Sequence, residues 1–356
     1  MNQPNNGGQP QPAQPPLSQT DSAHDERKAI LEEIGKARDS KVLLYVTSDR
    51  PSMETQIGPD VDDIFVEHLD ELWPAKKISV VLYTTGGNTA TAWRLINLLR
   101  TFCDELEIIV LVKALSAGTL MCLGANQIVM SKQSTLGPID PSVNHPMNPQ
   151  VPGTNPPQRA PVSVEAVQGY LDVAKEELGI NDSGSLSAIL THLSSQIHPL
   201  VLGQIFRTRT QIRDLATKLL VHQEIADKKK DEIIDFLCSD SGSHDHTINR
   251  REAAALGLKV EKPSAEFYDV LRKLYKNISV TLKLRDRFTP DTEVANNPVV
   301  HYRLRRGLIE TVEYGSHQFI TEGILTKVQV PQNGAPPAIG FQDNRLFEGW
   351  KREDQN

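Results

Sequence analysis

The chain has 356 residues, 38% of them hydrophobic, and a formal charge of -7 at pH 7. That length buries one sizeable core and a smaller second unit, and the negative balance excludes a general nucleic-acid or anionic-membrane surface, which needs a basic field. Three cysteines, Cys103, Cys122 and Cys238, with no CxxC, encode neither a disulfide framework nor a thiolate zinc site, so a reducing cytoplasm is the expected compartment.

Residues 1–24 are rich in Pro, Gln, Asn and Gly, too poor in apolar groups to offset the entropy of ordering, and read as a disordered tail. They lack the charged start and apolar core of a secretory leader, and no later run approaches the roughly 20 apolar residues of a membrane span. Residues 25–282 form the main unit. A charged helix around Glu26–Arg38 precedes a strand at Val42–Val46, and Val61–Trp73 places Ile64, Phe65, Leu69 and Leu72 at helical spacing. Ile78–Tyr83 is the next strand, followed by a helix with Ala92, Leu95, Ile96, Leu99 and Phe102 on one face. Ile108–Val112 and Ile128–Met130 are two further strands, on either side of a helix that opens at Ser116. Aliphatic strands separated by helices predict an α/β fold with a mostly parallel sheet covered on both faces.

Prolines through Asn144–Pro161 predict a mobile surface loop or lid. Val164–Leu178 and Ile205–Ala226 read as helices, and Asn249 with Glu252 and Gly257 brackets a short one at Arg250–Leu256. From 283 to 356 the pattern becomes short alternating segments, Val299–Leu304, Leu308–Val312 and Leu325–Val330, with turns at Gly307 and Gly315, which predicts a small β-rich C-terminal appendage.

Two strand-to-helix turns carry the chemistry. Thr84-Thr85-Gly86-Gly87 and Ser116-Ala117-Gly118 each end an apolar strand and open a helix, where unpaired amides can face an oxyanion. Ser116 is then a nucleophile beside its own oxyanion hole of Gly86, Gly87 and Ala117. A serine hydroxyl needs a base, and the base an orienting group. Asp140, held in the rigid turn Gly137-Pro138-Ile139-Asp140-Pro141, and His198, just before the long helix, complete a Ser116–His198–Asp140 set. His145, His244 and a desolvated Lys175 are alternative bases, His246 lies beside them, and Asp245 is an alternative acid partner. Adjacent His244, Asp245 and His246 point to different sides with no distant ligand pair, so no metal site is expected.

Three motifs, Tyr83–Arg100 (YTTGGNTATAWRLINLLR), Ala114–Pro141 (ALSAGTLMCLGANQIVMSKQSTLGPIDP) and Ile197–Leu220 (IHPLVLGQIFRTRTQIRDLATKLL), together with Ile248–Leu258 (INRREAAALGL), resemble the Clp-protease/crotonase fold. Within it they are most similar to the serine dehydrogenase proteinase family, relatives of signal peptide peptidase A. The resemblance implies Ser116 as nucleophile, Gly86, Gly87 and Ala117 as oxyanion hole, and the chain order serine, aspartate, histidine, which Asp140 and His198 fit. In Clp protease the order is serine, histidine, aspartate; Asp140 falls near that histidine and Asp245 near that aspartate. Thr85 stands where the family usually has proline. The resemblance implies a serine endopeptidase acting on peptide or protein substrate without a cofactor, as a homo-oligomer. Rival readings are a non-catalytic scaffold or peptide-binding protein, and a crotonase-like acyl-CoA enzyme using the same paired donors.

Overall fold

The computed structural model describes residues 20–139, 142–154, 157–240, 246–332 and 335–353. In chain order the elements are α1 (Thr20–Arg38), β1 (Lys41–Thr47), α2 (Asp62–Leu72), β2 (Ala75–Thr84), α3 (Thr89–Phe102), β3 (Cys103–Ala114), α4 (Ala117–Leu123), β4 (Gln127–Met130) and β5 (Thr135–Leu136). A small hairpin, β6 (Ser142–Val143) and β7 (Val162–Ser163), leads into α5 (Val164–Asp172), α6 (Ser183–Gln196), α7 (Pro199–Leu220) and α8 (Asp227–Asp235). Then follow β8 (Ile248–Asn249), α9 (Arg250–Leu256), β9 (Val260–Glu261), α10 (Ala265–Thr281), α11 (Pro290–Val294), β10 (Val299–Thr311), β11 (Gly315–Gln332) and β12 (Ala335–Arg352).

The sheet runs β12-β11-β10-β1-β2-β3-β4-β9, with β5 beside the end of β3 and β8 beside β5. From β1 to β9 every neighbouring pair is parallel. Strand residues alternate between two buried faces, as a pleat of period two requires. Leu43, Tyr45, Val80, Leu82, Ile108 and Val110 pack against α2, α3, α4 and α7, whereas Val42, Leu44, Val81, Tyr83, Ile109 and Leu111 pack against α1 and α10. The mixed α/β fold with a mostly parallel, helix-covered sheet and a β-rich C-terminal region is the one expected from the sequence.

Two details depart from the sequence reading. Val299–Thr311 is one strand, not two segments with a turn at Gly307; the register shifts between Arg305 and Gly307, a bulge at which a Cβ would press on Trp350 and the Val46 carbonyl. Helix α10, whose Phe267, Val270, Leu271, Leu274 and Ile278 recur at helical spacing, covers the second face, yet its sequence is not singled out. The proline-rich loop closes on itself: Asn148 Nδ2 donates to the carbonyls of Val143 at 2.6 Å and Ala160 at 2.9 Å.

Candidate active site

Thr84 and Ala114, the last residues of β2 and β3, are register partners, and Leu115 N–H donates to the Thr84 carbonyl at 3.1 Å. The two strand-to-helix turns therefore leave the same sheet edge side by side, at the carboxyl ends of parallel strands, where open α/β sheets bind ligands. Their approach is close. A Cβ on Gly86, whose φ is +112°, would stand 2.8 Å from both the Leu115 carbonyl oxygen and Ser116 Cβ, so only glycine lets the first turn touch the serine.

Ser116 holds φ 51° and ψ -112° at the N-cap of α4, and its side chain makes no capping bond. That backbone lies outside the ordinary wells for a residue with a Cβ and costs roughly 1–3 kcal/mol. The hydroxyl is half-buried and does not cap the helix. Among the described residues Ser116 Oγ has no hydrogen-bond partner.

The three amides differ. Gly86 N–H donates to Thr84 Oγ1 at 3.0 Å, so it is spent on the turn itself. Gly87 stays outside that bond; its neighbours bracket Ile57, which donates to the Gly86 carbonyl at 2.9 Å and accepts from Asn88 N–H at 2.8 Å. Ala117 is the first residue of α4, where helix geometry supplies no acceptor. Among the described residues, Gly87 N–H and Ala117 N–H meet no acceptor.

Thr119, in the first turn of α4, ties the Gly137 turn of the same motif to this edge, a role nothing in the linear sequence marks. Its Oγ1 lies 2.8 Å from the carbonyls of both Ala114 and Gly137 and accepts Gly137 N–H at 3.1 Å. Ile139 is buried and donates to the Leu237 carbonyl at 2.8 Å. Asp140, the next residue, lies outside the described residues. On its far side β5 pairs with β8, Leu136 opposite Ile248, while on its near side Leu136 is opposite Ala114. Through β5, β8 is thereby joined to the edge at which β3 ends, and His246 lies two residues before Ile248. His246 Nε2 is 2.8 Å from Glu252 Oε1.

Comparison with known proteins bears on this arrangement. Residues 15–152 match the family of ClpP-like SDH-type serine proteinases. It is the family the sequence motifs resemble, and the matched stretch carries both glycine and serine turns and the Gly137–Asp140 segment. An uncharacterised protein of Methanocaldococcus jannaschii is 26% identical over 261 residues, 70% of this chain and 78% of the relative. A second from the same organism is 22% identical over 258 residues, 70% and 74% of the two chains. Among solved structures, a serine-to-alanine mutant of the 1510-N membrane-bound stomatin-specific protease aligns at 15% identity and TM-score 0.37, covering 67% of this chain and 84% of that one. So loose an overlay carries no residue correspondence. The match over residues 15–152 supports a peptidase.

Of the remaining candidate residues, those described sit on separate elements. His198 is exposed at the N-cap of α7, and its Nδ1 accepts Leu200 N–H at 3.2 Å. That bond keeps the ring proton on Nε2, the opposite of the tautomer a triad base needs. His145 Nδ1 likewise accepts Met147 N–H at 3.1 Å, inside the proline-rich loop. Lys175 is exposed in the π-helical turn after α5. His244 and Asp245 lie outside the described residues. Within those residues, no group of three His, Cys, Asp or Glu side chains is arranged to hold a metal ion, and no helix is long and apolar enough to cross a membrane.

Proposed function

We propose that the protein is a serine endopeptidase that cleaves peptide bonds by acyl transfer at Ser116. One observation carries the reading: an uncapped, half-buried serine hydroxyl on a strained turn, in contact with Gly86 and flanked by the uncommitted amides of Gly87 and Ala117. Ser116 Oγ attacks the scissile carbonyl as the base removes its proton, and the two amides receive the tetrahedral oxyanion. The base returns the proton to the leaving amine, and water then hydrolyses the acyl ester. For the base we favour His246, two residues before β8, over His198, because β5 links β8 to the end of β3 that leads to Ser116, and His198 Nδ1 is already an acceptor; His244 is the second candidate from the sequence. Asp140 is the orienting carboxylate in this reading. A peptide or protein substrate, a cytoplasmic site of action and a homo-oligomeric assembly belong to the same proposal, on the strength of the family.

Intact-mass analysis after treatment with a fluorophosphonate tests it. Wild type should gain one adduct and Ser116→Ala none, with peptide turnover in that variant falling by about 10⁶. His244→Ala and His246→Ala distinguish the base, and His198→Ala should label at the wild-type rate. An adduct that persists in Ser116→Ala overturns the assignment.

A further inference from the structure

The second half of α10 and the segment after it line an open groove of about 990 Å³, at the upper end of the range of ligand-sized sites. Arg272, Lys273, Lys276, Lys283 and Arg285 face it with only Asp269 and Asp286 in opposition, on a chain whose overall charge is -7. Among the described residues Lys273, Lys276, Lys283 and Arg285 have no carboxylate partner, and Arg272 reaches Asp269 only at 3.9 Å. Favourable interaction with the helix dipole explains cations in a last turn; Arg272 and Lys273 stand more than two turns before the end of α10.

Lys283 adds a second sign. Its N–H donates to the Val280 carbonyl at 3.2 Å and Leu284 N–H to the Ser279 carbonyl at 3.0 Å, the C-terminal motif in which glycine is usual. Here a lysine holds φ +50° instead, a strain that glycine would remove.

The groove adjoins the strand ends that deliver the catalytic turns. Tyr275, on its wall, has its ring 5.9 Å from that of Tyr83, and Lys113 Nζ lies 5.6 Å over Tyr83. Tyr83 is three residues before Gly86, and Lys113 three before Ser116.

We infer that this groove binds an acidic segment of the polypeptide substrate, flanking the bond cleaved at Ser116. The inference deepens the peptidase reading and rests on it for the step after binding. A peptide is favoured over a nucleic acid because the groove adjoins the turns that the peptidase reading places at the scissile bond.

Fluorescence anisotropy of a fluorescein-labelled glutamate-rich peptide and its glutamine counterpart, titrated with the full chain, tests binding apart from catalysis. Wild type should prefer the glutamate peptide in a salt-sensitive manner. Lys276→Gln with Lys283→Gln should weaken it roughly five- to tenfold, the effect of two half-screened ion pairs, without changing the thermal midpoint or Ser116 labelling. Cleavage of a substrate with an acidic flank should show the same change in KM, with kcat kept. Equal affinity for both peptides in wild type overturns the inference, as does an oligonucleotide that binds in a Lys276- and Lys283-dependent way while the glutamate peptide does not. Failure of Ser116 to label while the acidic peptide still binds overturns the hydrolytic reading and leaves the groove as a binding surface.

Discussion

At Gly87 an alanine would have to keep φ near +143° and drive its Cβ into the Ile57 amide and carbonyl. The turn would shift to relieve that contact and carry an oxyanion donor with it. Gly87→Ala should therefore slow fluorophosphonate labelling of Ser116 by about 10²–10³, the loss associated with one oxyanion donor, and a labelling time course checks it. Thr119 acts one step back, holding Gly137 against the start of α4. Thr119→Val leaves the Gly137 amide without its acceptor and should cost about 1–3 kcal/mol in urea denaturation. Labelling should slow as well, and Thr119→Ser should restore both. Nothing in the linear sequence marks Thr119, because Gly137, the partner it holds, lies 18 residues on, beyond β4.

Helices α1 and α10 meet strand β10 around one buried charge pair. Arg27 donates to Glu310 through Nε at 2.9 Å and Nη2 at 2.7 Å, and through Nη1 to Asn277 at 2.9 Å. Burial opposes the Glu310 charge, yet the Arg27 guanidinium overrides it and holds the carboxyl down to about 2. A depressed carboxyl pKa stabilises the fold above its unfolded value near 4.5, and that contribution is lost as pH falls from there toward 2. His68, a buried residue of α2 whose ring bonds Thr311 and His317 of the C-terminal strands, is held neutral instead. Desolvation, aided by His317, lowers it to about 3, so the unfolded chain takes up its proton first and stability falls as pH drops below 6.5. Urea midpoints should thus decline in two stages, the first reduced in His68→Asn. Glu310→Gln strands Arg27 and should cost about 3–5 kcal/mol at neutral pH, leaving a flatter profile below pH 4.5.

For the whole molecule, β10 is the cover of a parallel sheet that would otherwise end at β1. Five residues of β1, Leu43 to Thr47, pair with Thr311 to Gly307. Deleting residues 299–356 would bare that edge, a ready template for intermolecular pairing. Such a truncation should elute as aggregate in size-exclusion chromatography, where the full chain gives a defined peak.

Periodicity alone told which strands are buried on both faces, since continuous aliphatic runs such as Ile78–Tyr83 have no solvent side to record. It also located the glycine and serine turns, because φ above zero and close backbone approach demand particular residues at Gly86 and Gly87. Pairing order lay beyond it. That β8, and with it the segment carrying His246, joins the edge at which β3 ends depends on β5 seating itself between β3 and β8, although β5 and β8 are more than a hundred residues apart. Nor could spacing show that Gly86 N–H is already spent on Thr84, because only three-dimensional approach decides which donors remain open to an oxyanion.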